Sequence, residues 1–87
     1  MIKEKFIIHN SKGIHLRPAG ILCKEALEFT CSIKLVVGSV TADAKSVLGV
    51  LAAGIKCGTE IELVCDGADE KEAMDRLRSL INSDLET

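Results

Sequence analysis

Alternation between apolar and polar residues predicts four β-strands. Residues 2–8 and 60–65 each place every second apolar side chain on one face, as in a strand with one buried side. Residues 32–44 surround Gly38-Ser39, a glycine-first pair that favours a type II′ turn, and therefore predict two strands joined by a tight turn. The residues expected to face inward in the first and last segments are Ile2, Phe6, Ile8, Ile61, Leu63 and Cys65.

Apolar residues spaced three and four positions apart predict three helices. The first begins near Arg17 or Pro18, where the missing amide proton of proline is tolerated, and ends near Phe29. The second lies within residues 45–54 and the third within residues 66–83. The buried faces of the first and third helices are expected to consist of Ala19, Leu22, Cys23 and Ala26, and of Ala73, Leu77, Leu80 and Ile81.

Capping signals mark the starts of two of these helices. Ser46 is a candidate N-cap of the second helix, which Gly54 closes. Asp69 and Glu72 have the spacing of a capping box, with aspartate in place of serine or threonine. The order β-α-β-β-α-β-α then predicts a single α+β domain over residues 1–87, with helices on one face of an antiparallel sheet.

Composition narrows the class of protein. Apolar residues make up 47% of the chain, with no Trp or Tyr and two Phe, so an aliphatic core is expected. The formal net charge of −2 argues against direct nucleic-acid binding, which usually needs a basic excess. The sequence has no apolar run near the roughly 20 residues that span a bilayer, and no signal-peptide pattern. We therefore expect a cytoplasmic protein without membrane insertion.

The four cysteines are expected to be reduced thiols. Cys23, Cys31, Cys57 and Cys65 form no CxxC pair, and no histidine lies near them at a zinc-finger spacing. Thiols of cytoplasmic proteins normally stay reduced, and Cys23 and Cys65 are expected to act as small core residues. The sequence thus predicts no metal site and no cofactor.

The segment GIHLRPAG, residues 13–20, places His15 just before the first predicted helix. The first amides of a helix have no intrahelical acceptor, and the helix dipole adds positive charge, so this position suits an anion. Arg17 adds a planar cation that matches phosphate oxygens, and neutral imidazole is a nucleophile. His15 is therefore either a phosphate carrier or a solvated surface residue, and the second interpretation is favoured for His9.

Ser46 and the apolar residues after it form a second candidate site. A serine at a helix start needs no role beyond capping, yet a phosphate there would meet another helix N-terminus. Val47, Leu48 and Leu51 follow on the short second helix. Their periodicity alone favours core positions over an exposed docking patch.

Three ordered motifs resemble the histidine-containing phosphocarrier proteins, HPr, of the bacterial phosphoenolpyruvate-dependent sugar phosphotransferase system. They are GIHLRPA at 13–19, DAKSVLGVLAAGIKCGTEIEL at 43–63 and DGADEKEAM at 66–74, so the resemblance covers nearly the whole chain. It implies an open-faced β-sandwich, in which three helices pack on one face of a four-stranded antiparallel sheet. It also implies a monomer.

The resemblance implies a role for each residue of the first motif that matches the family. His15 would accept a phosphoryl group, on Nδ1 in the family, from phosphorylated Enzyme I and pass it to the IIA domain of a sugar permease. Arg17 matches the phosphate-neutralising arginine, and Pro18 matches the helix-starting proline.

The second motif implies regulation and partner docking. Ser46 matches the serine that HPr kinase/phosphorylase modifies, and catabolite control protein A is the partner implied for the modified form. Val47, Leu48 and Leu51 match an apolar patch that docks partners beside the histidine, and Leu16 adds to it. This reverses the preference for core positions.

The chain departs from the family pattern at several of these positions. Leu16 replaces the usual Ala or Thr, and Gly20 stands where the family often has Thr or Ser. Leu48 replaces the more frequent methionine or phenylalanine, and Leu51 replaces a common methionine, which keeps the patch apolar but leaves the choice of partner open.

Two other classes of protein remain as alternatives. One is a regulatory HPr paralogue that acts mainly through Ser46 phosphorylation and transcription-factor binding. The other is a metal- or small-ligand-binding module that uses His9, His15 and the thiols.

Overall fold

Four strands and three helices follow one another in the predicted order. The computed structural model describes residues 1–83 and Leu85. The strands are β1 (Ile2–Ile7), β2 (Ser32–Val37), β3 (Val40–Asp43) and β4 (Glu60–Asp66), and the helices are α1 (Leu16–Ala26), α2 (Val47–Ala52) and α3 (Glu70–Asn82). The predicted α+β class and the open-faced sandwich are confirmed.

The strands form one antiparallel sheet in the order β1-β4-β2-β3. The last strand in sequence, β4, therefore lies inside the sheet between β1 and β2. Strands β2 and β3 form the predicted hairpin, in which Val37 pairs with Val40 across a two-residue turn. Gly38 has a φ of 60° and Ser39 has no positive φ, which agrees with a type II′ turn.

The core lies between the helices and one face of the sheet. The residues predicted to face inward are buried, except that Ile2 is half-buried. The predicted buried faces of α1 and α3 are also confirmed, with Pro18 and Met74 added to them. The other face of the sheet carries mainly charged side chains on its inner and edge strands, including Lys3, Lys5, Lys34, Glu60 and Glu62.

Helix α1 differs from its prediction at both ends. It begins at Leu16, so Pro18 is its third residue, and it ends at Ala26 rather than near Phe29. Beyond Ala26 the amide of Phe29 bonds to the carbonyl three residues back, in a tighter turn than the α-helix. The Lys45 ammonium donates to the Phe29 carbonyl at 2.7 Å and so satisfies an acceptor beyond the helix end.

The predicted Asp69–Glu72 capping box is wrong. Asp69 occupies the N-cap position of α3 but makes no side-chain cap hydrogen bond. Its carboxylate instead accepts from the backbone amides of Thr30 and Cys31, at 2.8 and 2.9 Å. Glu70 accepts from a backbone amide just before the helix at 3.1 Å. Asp69 therefore joins α3 to the segment that leads into β2.

An ion pair joins α3 to the edge strand β1. The Arg78 guanidinium donates to both carboxylate oxygens of Glu4, with N···O distances of 2.8 to 3.0 Å, and to Asp75 at 2.9 Å. The hydrogen bonds from Arg78 hold the pKa of Glu4 below its ordinary value. A two-pronged contact of this kind fixes the relative position of the two groups better than a single surface ion pair.

The stability of the fold is expected to depend on pH through the ionisation of Asp69. Hydrogen bonds, chiefly from the Thr30 amide, hold the pKa of Asp69 below its ordinary value. A carboxyl with a lower pKa in the folded state stabilises the fold above its unfolded pKa, and this contribution is lost as pH falls through the folded pKa. We expect Asp69→Asn to lower the Tm by several degrees at pH 7, and the deficit to shrink below about pH 4, as followed by circular dichroism.

Glu72→Gln is the matched control, since it removes the same charge from the first turn of the same helix. Glu72 is exposed and makes no hydrogen bond to another segment among residues 1–83 and 85. This variant should change the Tm less and keep the native pH profile. Equal deficits for both variants at every pH would contradict the role of Asp69.

Candidate functional site

The backbone ahead of α1 is fixed by contact with the loop that precedes β4. The Ile14 amide donates to the Ile55 carbonyl at 3.0 Å, and the Ile14 side chain is buried. Gly13 has a φ of 67°, and a Cβ there would overlap the Ile55 carbonyl and lie 2.7 Å from Lys56 Cα. Only glycine fits this position. These contacts determine where α1 begins.

His15 is the N-cap residue of α1. Its backbone is extended, with φ −92° and ψ −165°, and its carbonyl accepts the Ala19 amide at 3.0 Å. The side chain is exposed and makes no cap hydrogen bond. The amides of Leu16 and Arg17 have no intrahelical acceptor, and Pro18 has no amide proton. An exposed imidazole thus lies at the positive end of the helix dipole, where two amides are unpaired within the described residues.

Arg17 and Pro18 occupy the first turn of α1 in different environments. The Arg17 side chain is exposed and forms no ion pair or hydrogen bond with any residue that the structure describes. Pro18 is buried, and its fixed φ suits the first turn of a helix. The structure therefore brings together three of the predicted site residues, His15, Arg17 and Pro18, at one helix end.

Ser46 is the N-cap residue of α2, as predicted. Its Oγ accepts the Gly49 amide at 3.1 Å, and its own amide donates to the Asp43 carbonyl at 3.0 Å. The preceding residue, Lys45, contacts α1 through its carbonyl and the turn after α1 through its ammonium group. Its carbonyl accepts from the Cys23 thiol at 3.0 Å, and its ammonium reaches the Phe29 carbonyl.

The ties through Cys23 and Lys45 were missed by sequence reasoning. For Cys23 the sequence predicts packing or, in the metal-binding alternative, ligation, and for Lys45 it predicts no role. Both contacts join residues far apart in sequence, so no local spacing signals them. Their effect is to hold the start of α2 against α1.

The apolar residues of the candidate docking patch differ in exposure. Leu48 is 79% exposed and Leu16 67% exposed, whereas Val47 and Leu51 are half-buried against the core. The core interpretation drawn from periodicity is therefore wrong for Leu48. Val50 is the residue that α2 buries fully.

The cysteines and histidines show no arrangement for metal binding within the described residues. Cys23, Cys31 and Cys65 are buried, Cys57 is exposed, and all four are free thiols. Burial raises the pKa of the Cys31 thiol to about 11 and also raises the pKa of Cys65, so both stay protonated at neutral pH. Residues 1–83 and 85 contain no group of three or more His, Cys, Asp or Glu side chains suited to a metal ion.

A family model described as "PTS HPr component phosphorylation site" matches residues 2–83. The chain belongs to the HPr family. Phosphocarrier protein HPr of Treponema pallidum (strain Nichols) is 35% identical over 86 residues, covering 99% of this chain and 98% of that protein. The family identified from the three motifs is confirmed, and with it the assignment to the phosphotransferase system.

Two further relatives agree in fold or sequence with this HPr-family chain. The crystal structure of HPr-C-His from Thermoanaerobacter tengcongensis has a TM-score of 0.93 at 32% identity, covering 98% of this chain and 96% of that one. The HPr-like protein Crh of Bacillus subtilis (strain 168) is 29% identical over 85 residues, covering 98% of this chain and 100% of that protein. Among the described residues, none of the helices combines the length and apolar character needed to cross a membrane.

The hydrogen bond from the Gly49 amide to Ser46 Oγ is expected to contribute measurably to the stability of the fold. Ser46→Ala removes the acceptor of the Gly49 amide and is expected to cost about 1 kcal/mol in the free energy of unfolding, measured by urea titration. Ser46→Asp keeps an acceptor at the N-cap and should lose less. Equal losses for the two variants would contradict a capping role for the Ser46 hydroxyl.

Proposed function

We propose that His15 carries a phosphoryl group, which it accepts from phosphorylated Enzyme I and passes to the IIA domain of a sugar permease. The observation that carries this proposal is an exposed imidazole at the N-cap of α1, beside two amides and an Arg17 guanidinium that have no partner among residues 1–83 and 85. Membership of the HPr family supports the same chemistry. In this proposal the protein acts as a cytoplasmic monomer.

The transfer begins when a neutral imidazole nitrogen of His15 attacks the phosphorus of the donor. A nitrogen–phosphorus bond forms on His15 while the donor's bond to phosphorus breaks, and the electron pair of the broken bond returns to the donor. In the second step the IIA domain attacks the phosphorus on His15. The nitrogen–phosphorus bond then breaks, and its electron pair returns to the imidazole. The protein completes no reaction alone, since it is consumed and regenerated by its two partners, so it is a carrier rather than an enzyme.

The first turn of α1 stabilises the negative charge of the transferred group. The amides of Leu16 and Arg17 point along the helix axis towards its N-terminus, and their positive ends suit phosphoryl oxygens. The Arg17 guanidinium adds a permanent cation with several donors. Pro18 contributes by presetting the first turn.

Partner docking is assigned to the exposed apolar residues near the two helix starts. Leu16 follows His15 directly, and Leu48 follows Ser46 by two positions, with Val47 and Leu51 half-buried beside it. Covering exposed leucines removes apolar surface from water and favours association. The proposed patch thus combines binding with placement of His15 against the partner's reactive group.

Incubation with phosphoenolpyruvate and Enzyme I is expected to attach one phosphoryl group to His15. The product should be acid-labile and alkali-stable, as a phosphoramidate is, and mass spectrometry of peptides should place it on residue 15. His15→Ala should abolish the adduct without a measurable change in Tm, because the His15 side chain makes no cap hydrogen bond.

His9→Ala is the matched control, since it removes an imidazole from an exposed position in the same loop. This variant should be phosphorylated at the native rate. An adduct that persists in His15→Ala, or that disappears in His9→Ala, would rule out the assignment of His15.

Regulation is proposed at Ser46, through phosphorylation by HPr kinase/phosphorylase. A phosphate on Ser46 adds about −1.5 to −2 charges at the start of α2, next to the exposed Leu48. An apolar interface then has to cover a charged group, and an acidic partner surface is repelled. In this proposal the modified protein transfers phosphate poorly to and from its carrier partners and binds catabolite control protein A instead.

Ser46→Asp is expected to weaken Enzyme I docking and slow His15 phosphorylation about tenfold, equivalent to about 1.4 kcal/mol. The measurement is the initial rate at limiting Enzyme I. Ser39→Asp places the same charge on the exposed β2–β3 turn and should leave the rate unchanged. Equal rates for the native chain and Ser46→Asp would remove Ser46 from the docking surface.

The 29% identity to the HPr-like protein Crh favours one alternative, a regulatory paralogue that acts mainly through Ser46. The presence of His15 beside an Arg17 that pairs with no residue in the described part of the chain supports the carrier instead. The two proposals differ in one outcome: a paralogue of this kind is modified on Ser46 by the kinase but takes no phosphoryl group on residue 15.

A further inference from the structure

Cys31 and Cys65 form a pair of buried thiols outside the candidate functional site. Cys31 is 3% exposed and Cys65 is fully buried. Ile33 pairs with Cys65 across β2 and β4, and Cys31 lies two residues before Ile33. The two cysteines are therefore diagonal neighbours on the inner face of the sheet. Their side chains are close enough to share a hydrogen bond.

Gly67 allows the backbone at Cys31 to lie close to the end of β4. A Cβ built at Gly67 would lie 2.7 Å from Cys31 Cβ and 2.8 Å from Cys31 Cα, so only glycine permits this approach. Cys31 also precedes β2, and the pairing of β2 with β4 begins at Ser32. The Cys31 backbone can therefore adjust to the geometry of a disulfide without breaking a hydrogen bond of the sheet.

The charged groups around the two thiols control how fast they react. The Asp69 carboxylate accepts from the amide and the thiol of Cys31. Burial raises the pKa of both thiols, Asp69 raises it further, and Glu70 adds to the effect on Cys65, whereas the Lys45 ammonium lowers the pKa of Cys31. The thiolate is the reactive form, so these thiols react more slowly with oxidants than an exposed thiol does.

We propose that Cys31 and Cys65 are an oxidative modification site, at which a hydroperoxide converts the two thiols into a disulfide that crosslinks β4 to the segment leading into β2. The pair lies in contact and is already aligned across two adjacent segments, so the crosslink needs no rearrangement of the sheet. The slow reaction of protonated thiols restricts the modification to high concentrations of oxidant.

The oxidation takes place in two steps. The Cys31 sulfur, the less buried of the two, attacks the peroxide, so a sulfur–oxygen bond forms and the oxygen–oxygen bond breaks. The leaving oxygen takes the thiol proton and departs as an alcohol, or as water from hydrogen peroxide. The Cys65 sulfur then attacks the Cys31 sulfur, and hydroxide leaves with the second thiol proton as water. The two thiols lose two electrons and two protons, which the peroxide gains.

This modification is separate from the proposed carrier chemistry. Cys65 pairs with Ile2, whereas Glu60, at the other end of β4, pairs with Ile7 on the side from which the chain continues to His15. Five residues of extended strand span about 17 Å. A disulfide across the pair closes a loop of about 35 residues, which restricts the unfolded chain and stabilises the fold.

Oxidation of the Cys57→Ser variant with hydrogen peroxide tests the proposal, since this variant lacks the exposed thiol. Trypsin places residues 25–34 and 57–71 on separate peptides, each with one cysteine in this variant. The folded protein at 25 °C should give a disulfide that joins these two peptides, with Cys23 still a free thiol, as read by mass spectrometry. Free thiols at both positions, oxidation without a crosslink, or a crosslink to Cys23 would overturn the proposal.

The duration of the treatment is calibrated on Cys57 of the native chain. A pKa of about 11 leaves about a hundredfold less thiolate than an ordinary thiol has at neutral pH. Treatment should therefore last about a thousand half-lives of Cys57 oxidation, which leaves ample time for the buried pair.

Cys23→Ala and Cys31→Ala, each combined with Cys57→Ser, are matched variants, because each removes one buried thiol. Oxidation should raise the Tm by about 10 °C in Cys57→Ser and in the Cys23→Ala combination, but not in the Cys31→Ala combination. Reduction under denaturing conditions followed by refolding should reverse the rise. A crosslinked protein with an unchanged or lower Tm would mean that the native fold does not accommodate the disulfide, and would overturn the proposal.

Discussion

The burial of aliphatic side chains between three helices and one face of the sheet is the interaction on which the rest of this structure depends. With no Trp or Tyr in the chain, leucines such as Leu22, Leu35, Leu63 and Leu77 fill the core and are fully buried. Apolar burial of this kind is the main favourable term in folding. The same packing also fixes the positions at which α1 and α2 begin.

Each candidate reactive residue follows a buried residue closely. Ile14, 4% exposed, precedes His15, and Ala44, 0% exposed, lies two positions before Ser46. The Ala44 amide also bonds to the Ile33 carbonyl of β2 at 3.0 Å. The core thus anchors the backbone on the inner side of each helix start while the reactive side chain faces outward. An exposed group on a rigid backbone can meet a partner without a cost of ordering itself.

The sequence allowed the element order, the buried faces and the position of His15 to be predicted, because each depends on short-range spacing. Periodicity found the faces of α1 and α3, and the position of proline placed the start of α1 within one or two residues. Which residues of α2 are buried was harder to predict, since a six-residue helix has too few turns to distinguish the buried Val50 from the exposed Leu48. The motif resemblance, not the periodicity, indicated that Leu48 is exposed.

Contacts between segments that are far apart in sequence could not be predicted from short-range spacing. Asp69 has the right spacing for a capping box, but its carboxylate accepts hydrogen bonds from the amides of Thr30 and Cys31 instead. These residues are 39 and 38 positions away in sequence. The Lys45 contact with Phe29 and the Gly13 contact with Ile55 also depend on how the elements pack. Sequence spacing reports only which partners are near along the chain, whereas these side chains bond to partners that folding brings near.

The position of β4 inside the sheet has a consequence for synthesis on the ribosome. Among the described strands, β1 pairs only with β4, and β2 and β3 alone make a two-stranded hairpin, which is marginal in water. The nascent chain therefore gains a complete sheet only when residues 60–66 have emerged, after the other three strands. Folding of this small domain is thus a late, nearly all-at-once event, and the reactive loop is organised in the same step.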